Sequence, residues 1–132
     1  MINEPLKFEP ILKEKIWGGE KLINLLHKKS DKNNIGESWE ISDVNQDVSI
    51  VSEGKYKDES ITSLINKYKS DLVGKKVYEK FANKFPLLIK FIDAKEVLSI
   101  QLHPNNELAK KDIIPLGKQK CGMLCKQMRM QI

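Results

Sequence analysis

Apolar and polar residues alternate without a break through Leu98-Ser99-Ile100-Gln101-Leu102-His103. That period belongs to a β-strand, which would turn Ser99, Gln101 and His103 to one face and pack Leu98, Ile100 and Leu102 behind them. The preceding run, Phe85-Pro86-Leu87-Leu88-Ile89-Lys90-Phe91-Ile92-Asp93, is a buried-type strand broken by a single lysine, and Ala94-Lys95-Glu96 turns the chain between the two. A hairpin is therefore predicted. Leu6-Lys7-Phe8-Glu9-Pro10 alternates as a short edge strand that ends at Pro10, because proline has no N–H to give to a ladder. Residues 35–42 and 48–51 have strand composition, with Asn45-Gln46-Asp47 as the turn between them.

Helical spacing marks two other segments. Leu22, Ile23, Leu25 and Leu26 place a short helix over residues 20–28, with His27 at its solvated end and loop residues at Asp31-Lys32-Asn33-Asn34. Ile61, Leu64, Ile65, Tyr68 and Leu72 form an apolar stripe over residues 60–78. Ser60 is suited to cap this helix and Gly74 to stop its first part, and residues 77–82 add another turn or two. The pattern predicts a mainly β fold with a helical insert, and 132 residues suffice for one domain with a core of its own.

Composition narrows the partners. No run of apolar residues is long enough to span a membrane, and Met1-Ile2-Asn3-Glu4-Pro5 lacks the basic and apolar regions of a signal peptide, so a cytoplasmic location is expected. The net charge of +5 is spread among acidic residues without a basic stripe or stacking aromatics, which argues against nucleic acid; a mildly basic surface suits a phosphorylated substrate as well as plain solubility. Oligomeric state is left open.

Candidate chemistry sits on the two C-terminal strands. The amide oxygen of Gln101 beside the imidazole of His103 makes half of a metal site; zinc takes four ligands in structural sites and three plus water in catalytic ones. The same alternation also suits the polar face of a half-exposed strand. Lys90 is either a snorkelling edge residue or a cation aimed into a polar cavity. Trp17, beside Gly18 and Gly19, either caps a core or walls a cleft.

The last fourteen residues depart from the rest: they hold both cysteines, three of the four methionines and the only arginine, and they contain no acid. Cys121 and Cys125 have the spacing of half a zinc site, but no second Cys/His pair follows. Back-translation offers another account. One permitted set of codons from Gln119 onward, with a single A restored ahead of it, reads Thr-Glu-Met-Trp-Tyr-Val-Met-Gln-Ala-Asp-Glu-Asn-Ala. Residues 119–132 are accordingly expected to be an out-of-frame tail, one base having been lost near the Lys118 codon.

Ile16-Trp17-Gly18-Gly19, Gly36-Glu37-Ser38-Trp39-Glu40, Phe85-Pro86-Leu87-Leu88-Ile89-Lys90, Leu98-Ser99-Ile100-Gln101-Leu102-His103-Pro104 and Gly117-Lys118 follow one another at family-like spacing. Through them the chain resembles type I mannose-6-phosphate isomerase over nearly all of residues 5–118. The restored frame, Gly-Lys-Thr-Glu-Met-Trp-Tyr, is similar to the family's next segment. The resemblance implies that residues 1–118 are the N-terminal part of a catalytic domain built as a cupin-like jelly-roll β-barrel, here incomplete. It also implies a small-molecule sugar phosphate as partner, and interconversion of mannose 6-phosphate and fructose 6-phosphate by zinc-assisted proton transfer through an enediol.

By the same resemblance Gln101 and His103 are metal ligands, joined by the Glu of the Gly-Lys-x-Glu segment and by a distal His. Lys120 stands at that Glu position and the distal His would lie beyond Ile132, so weak or no zinc binding and little activity are expected of this chain. Trp17, Lys90, Ser99 and Lys118 fall on sugar-phosphate pocket positions, with Ser99 and Lys118 expected to take part in catalysis. The alternative is a non-catalytic cupin-like module that binds a sugar phosphate without metal.

Overall fold

The computed structural model describes Ile2 and residues 4–98. Expectations that fall on residues 99–132, including the strand of Ser99, Gln101 and His103 and the tail, lie outside the described residues. Within them the predicted mixture is present: strands Ile11–Gly19 (β1), Ile35–Ile41 (β2), Asp43–Val44 (β3), Asp47–Val48 (β4) and Ile89–Ile92 (β5) are interspersed along the chain with helices Lys21–Asn24 (α1), Ile61–Tyr68 (α2), Ser70–Val73 (α3) and Lys75–Phe81 (α4). β1, β2 and β5 form an antiparallel sheet in the order β1-β2-β5, and β3 and β4 form a two-stranded ribbon. The described residues form no closed barrel. No helix among them is long and apolar enough to cross a membrane.

The helical insert lies between β4 and β5 as predicted. Ser60 caps α2 by accepting a hydrogen bond from the Ser63 N–H at 3.1 Å, which satisfies a donor that the first turn would otherwise leave unpaired. The apolar stripe then does what its spacing implies. Ile61, Leu64 and Ile65 are buried, and Leu64 joins Val51 and Tyr56 in a core cluster that Phe8, Leu6, Tyr68 and Leu72 pack against. The first break comes at Lys69, earlier than the expected stop at Gly74. Lys69 adopts a φ of 50°, so the chain bends there, and Tyr68 before the bend and Leu72 after it both pack on that cluster.

Three strand expectations need correction. Residues 6–10 make only an isolated bridge, Phe8 to Val51, while the regular strand begins at Ile11, just past Pro10. The charges of Lys13, Glu14 and Lys15 hide β1 from a hydrophobic pattern; they are accommodated because β1 registers against a polar stretch of β2. Residues 48–51 are not one strand either, because their backbone groups serve several partners. Ser49 N–H donates to the Ser42 carbonyl, the Ser49 carbonyl accepts from Ile61, and the Ile50 carbonyl accepts from Glu9. Third, β5 reads as buried yet Ile89, Phe91 and Ile92 are 49%, 47% and 51% exposed, because among the described residues β5 is an outer strand paired on one side only. The short helix at residues 20–28 closes early for a local reason: His27 takes a φ of 54°.

Tyr56 and Tyr68 meet edge to face with ring centres 5.7 Å apart, and their hydroxyls are 3.4 Å apart. The hydrogen bond with Tyr68, aided by burial, pushes the Tyr56 phenol from 10.0 up to about 12. The folded state therefore keeps a proton that the unfolded chain releases, so stability holds below pH 10.0 and falls as pH rises toward about 12. Urea unfolding across that range is expected to show this loss, and Tyr56→Phe is expected to flatten it; an unchanged alkaline slope in the variant refutes the assignment.

Candidate functional site

β2 supplies the site because it is the central strand and carries polar residues on both faces. Alternation separates Glu37 and Trp39 from Ser38 and Glu40. Residues opposite one another in adjacent strands share a face. Lys13 of β1 registers with Glu37 and Lys90 of β5 with Trp39, so two lysines, one carboxylate and one indole gather on one face. Lys90 Nζ donates to Glu37 Oε1 at 2.7 Å, and Trp39 Nε1–H donates to Glu37 Oε2 at 2.7 Å. The ammonium groups of Lys13 and Lys90 lie 5.0 and 5.8 Å from the Trp39 ring centre, within cation–π range. Lys13 is paired in turn with Asp47 of β4.

Glu37 is only 8% exposed. Burial works against its ionised form, but the hydrogen bonds from Lys90 and Trp39, with the charges of Lys90 and Lys15, outweigh it and hold the carboxyl below its ordinary 4.5. It is thus a fixed anion at neutral pH, and Lys90 is held to it rather than extended into solvent.

The opposite face has its own cluster. Ser38 Oγ donates to Glu40 Oε1 at 2.6 Å, and Lys28 Nζ donates to Glu40 Oε2 at 2.8 Å while lying 5.8 Å from the Phe91 ring centre. Trp17 belongs on this side. A Cβ on Gly36 would come within 2.6 Å of its Cζ3 atom, and Gly36 faces the way Ser38 does. The structure therefore does not bring Trp17 and Lys90 onto one face. Trp17 lies where β1 loses its regular register, between Glu14 and Gly19, and its carbonyl accepts from Lys95 N–H at 2.8 Å.

Asp93 ties these strands at one end. Its buried carboxylate accepts from the Lys21 N–H at 2.7 Å, its N–H donates to the Gly36 carbonyl, and its carbonyl accepts from Gly19. A Cβ at Gly19 would sit 2.3 Å from Asp93 Oδ2, so glycine is what admits the carboxylate.

Ser99, Gln101, His103 and Lys118 lie outside the described residues. Among those described, no three His, Cys, Asp or Glu side chains are grouped to hold a metal. Sequence reasoning gave no role to Glu37, Trp39 or Lys13. The available signal was Lys90 itself, since a cation on an apolar strand calls for an acid partner.

The family description "Phosphomannose isomerase type I, catalytic domain" matches residues 6–121. The chain belongs to the type I phosphomannose isomerase family. Mannose-6-phosphate isomerase ManA of Bacillus subtilis is 35% identical over 122 residues, covering 92% of this chain and 37% of the relative. Mannose-6-phosphate isomerase of Streptococcus mutans is 35% identical over 118 residues, covering 89% of this chain and 36% of its own. The crystal structure of the Bacillus subtilis mannose 6-phosphate isomerase superposes with a TM-score of 0.73 at 32% identity, over 87% of this chain and 35% of that one. The chain thus spans little more than a third of the length of these phosphomannose isomerase relatives.

The Glu37 pair adds stability that is complete above pH 4.5 and is lost as pH falls through the lower folded value. Glu37→Gln is expected to abolish that acid dependence and to cost about 1–3 kcal/mol at neutral pH, read from urea midpoints at successive pH values. Gly36→Ala is expected to destabilise by about 1–3 kcal/mol, since the new methyl meets the Trp17 ring and the Lys15 stem; a thermal midpoint equal to that of the parent would refute the close packing.

Proposed function

We propose that residues 1–118 are the N-terminal part of the catalytic domain of a mannose-6-phosphate isomerase, an incomplete cupin-like jelly-roll barrel, and that residues 119–132 are an out-of-frame tail. The observation that carries this reading is Lys90, which Glu37 holds at 2.7 Å on one sheet face, on the strand that precedes Ser99, Gln101 and His103 in the chain. The proposed reaction interconverts mannose 6-phosphate and fructose 6-phosphate, moving a proton between C2 and C1 through an enediol, in a cytoplasmic setting.

Lys90 and Lys118 would supply positive charge to the phosphate or to a developing oxyanion, and Ser99 a hydroxyl donor. Trp17 would border such a pocket only around the end of the sheet, where β1 leaves its register. Gln101 and His103 would hold the zinc, which when bound polarises carbonyl and hydroxyl oxygens. The donor set does not fit a complete site. Lys120 occupies the place where the resemblance expects Glu, and its ammonium repels a divalent ion. The 132-residue chain is therefore proposed to bind zinc weakly and to lack turnover.

Sequencing independent template across codons 118–120 is expected to reveal one further A, which replaces Lys120 with Glu. Metal analysis and a coupled assay are then expected to find zinc and turnover in the frame-restored protein and neither in the chain as written. Confirmation of the shorter frame overturns the out-of-frame reading, and turnover by the shorter chain overturns its proposed inactivity. Mannose 6-phosphate binding without turnover in both proteins would favour the non-catalytic module.

A further inference from the structure

We propose that Trp39 and Glu37 form a positioning pair for the Lys90 ammonium, in which the indole N–H fixes the carboxylate orientation that presents Oε1 to Lys90. The role of Lys90 toward a sugar phosphate rests on the function proposed above; the positioning itself rests on geometry alone. Each carboxylate oxygen of Glu37 has a different donor, Trp39 on Oε2 and Lys90 on Oε1, both at 2.7 Å. With Lys90 as its sole partner the carboxylate could rotate and carry the flexible ammonium with it. A planar indole two residues along the same face of the strand removes that freedom.

Trp39 acts on Lys90 a second time, through its ring face at 5.8 Å. Lys13 lies 5.0 Å from the same ring but is paired with Asp47, so the two ammonium groups are kept on separate carboxylates. Among the described residues the charged groups bearing on Glu37 are Lys90 from β5 and Lys15 from β1, with Lys13 opposite it in register. An ammonium has three N–H donors. Glu37 takes one of them, so Lys90 is able to donate to an anionic oxygen without leaving its carboxylate. Trp39 is in this sense a positioning residue that acts through Glu37.

Lysine and tryptophan side-chain NMR of the full chain tests this directly. In the unmodified protein the Trp39 Nε1–H and Lys90 Cε resonances are expected to move together, with the midpoint at which Glu37 titrates. Trp39→Phe keeps a ring but loses the N–H, and is expected to raise the Glu37 midpoint and shift Lys90. An indole proton indifferent to Glu37, or an unchanged Glu37 midpoint and Lys90 Cε resonance in the variant, overturns the pair; a purely structural Trp39 would lower stability and leave both in place. The indole measurement needs no variant, so it stands even if Trp39→Phe does not fold. Addition of mannose 6-phosphate is expected to shift both resonances. Should the pH-linked movement hold while mannose 6-phosphate shifts neither, the positioning pair stands and the sugar-phosphate reading of Lys90 falls.

Discussion

Glu37 is a carboxylate buried on the central strand of a three-stranded sheet, and most of the surrounding arrangement follows from satisfying it. An ionised group removed from water is costly unless it is paired and hydrogen-bonded. Here the pairing comes from β5, through Lys90, and the second hydrogen bond from Trp39 on the same strand. The register of β5 against β2 is thereby linked to a charge. A one-residue slip would send Lys90 to the other face and leave the carboxylate with one donor. Lys13 and Asp47 extend the same alternation of sign toward the β3-β4 ribbon. The polar face is thus ordered by electrostatics, while the cluster around Val51 and Leu64 is ordered by apolar burial.

Strand separation at the other end of the sheet depends on missing side chains. Gly18, Gly19 and Gly36 each sit where a Cβ would approach a neighbour to between 2.2 and 2.6 Å. The space released is used by the carboxylate of Asp93 and by the ring of Trp17. Asp93 then joins the start of α1 to β2 and to the end of β1, so the Trp17-Gly18-Gly19 segment is held from two sides. What looks in sequence like a flexible Gly-Gly pair is a tightly packed crossing.

The legible parts of the fold were those in which local preference and burial agree. The stripe Ile61, Leu64, Ile65, Tyr68 gives its period away, and Ser60 caps it as its chemistry suggests. Residues 35–42 were legible as a strand for the same reason, and β2 covers most of them. β1 was not, because Lys13-Glu14-Lys15 obtains its stability from partners on β2 and β4, and no local pattern reports a register. The bend at Lys69 is not legible because lysine seldom adopts a positive φ and nothing in its side chain marks one. At the site, Lys90 was legible as a cation needing an explanation, whereas Glu37 was hidden among the charged residues of an unremarkable strand. Trp17 was legible as special beside its glycines, but its face depends on the broken register of β1 and could not be read from neighbours in sequence.

β5 poses the remaining physical question. Its composition asks for apolar cover on both faces, yet Ile89, Phe91 and Ile92 stay about half exposed, as does Leu87 just before them. Among the described residues β5 is also an outer strand, with backbone hydrogen-bonding groups turned away from β2, and such an edge invites a further strand to pair. Both demands would be met by a further strand pairing with β5. The relatives are nearly three times as long as the segment they share with this chain, so they have the material to meet those demands. Lys90 sharpens the point. On an edge facing water a lysine would need no partner, but here it is bound to a buried carboxylate beside an indole. That pairing follows from the burial of Glu37, because a carboxylate removed from water needs a cation and a hydrogen-bond donor close by. β5 therefore carries two separate demands, apolar cover for Ile89, Phe91 and Ile92 and a carboxylate partner for Lys90, and among the described residues only the second is met in full.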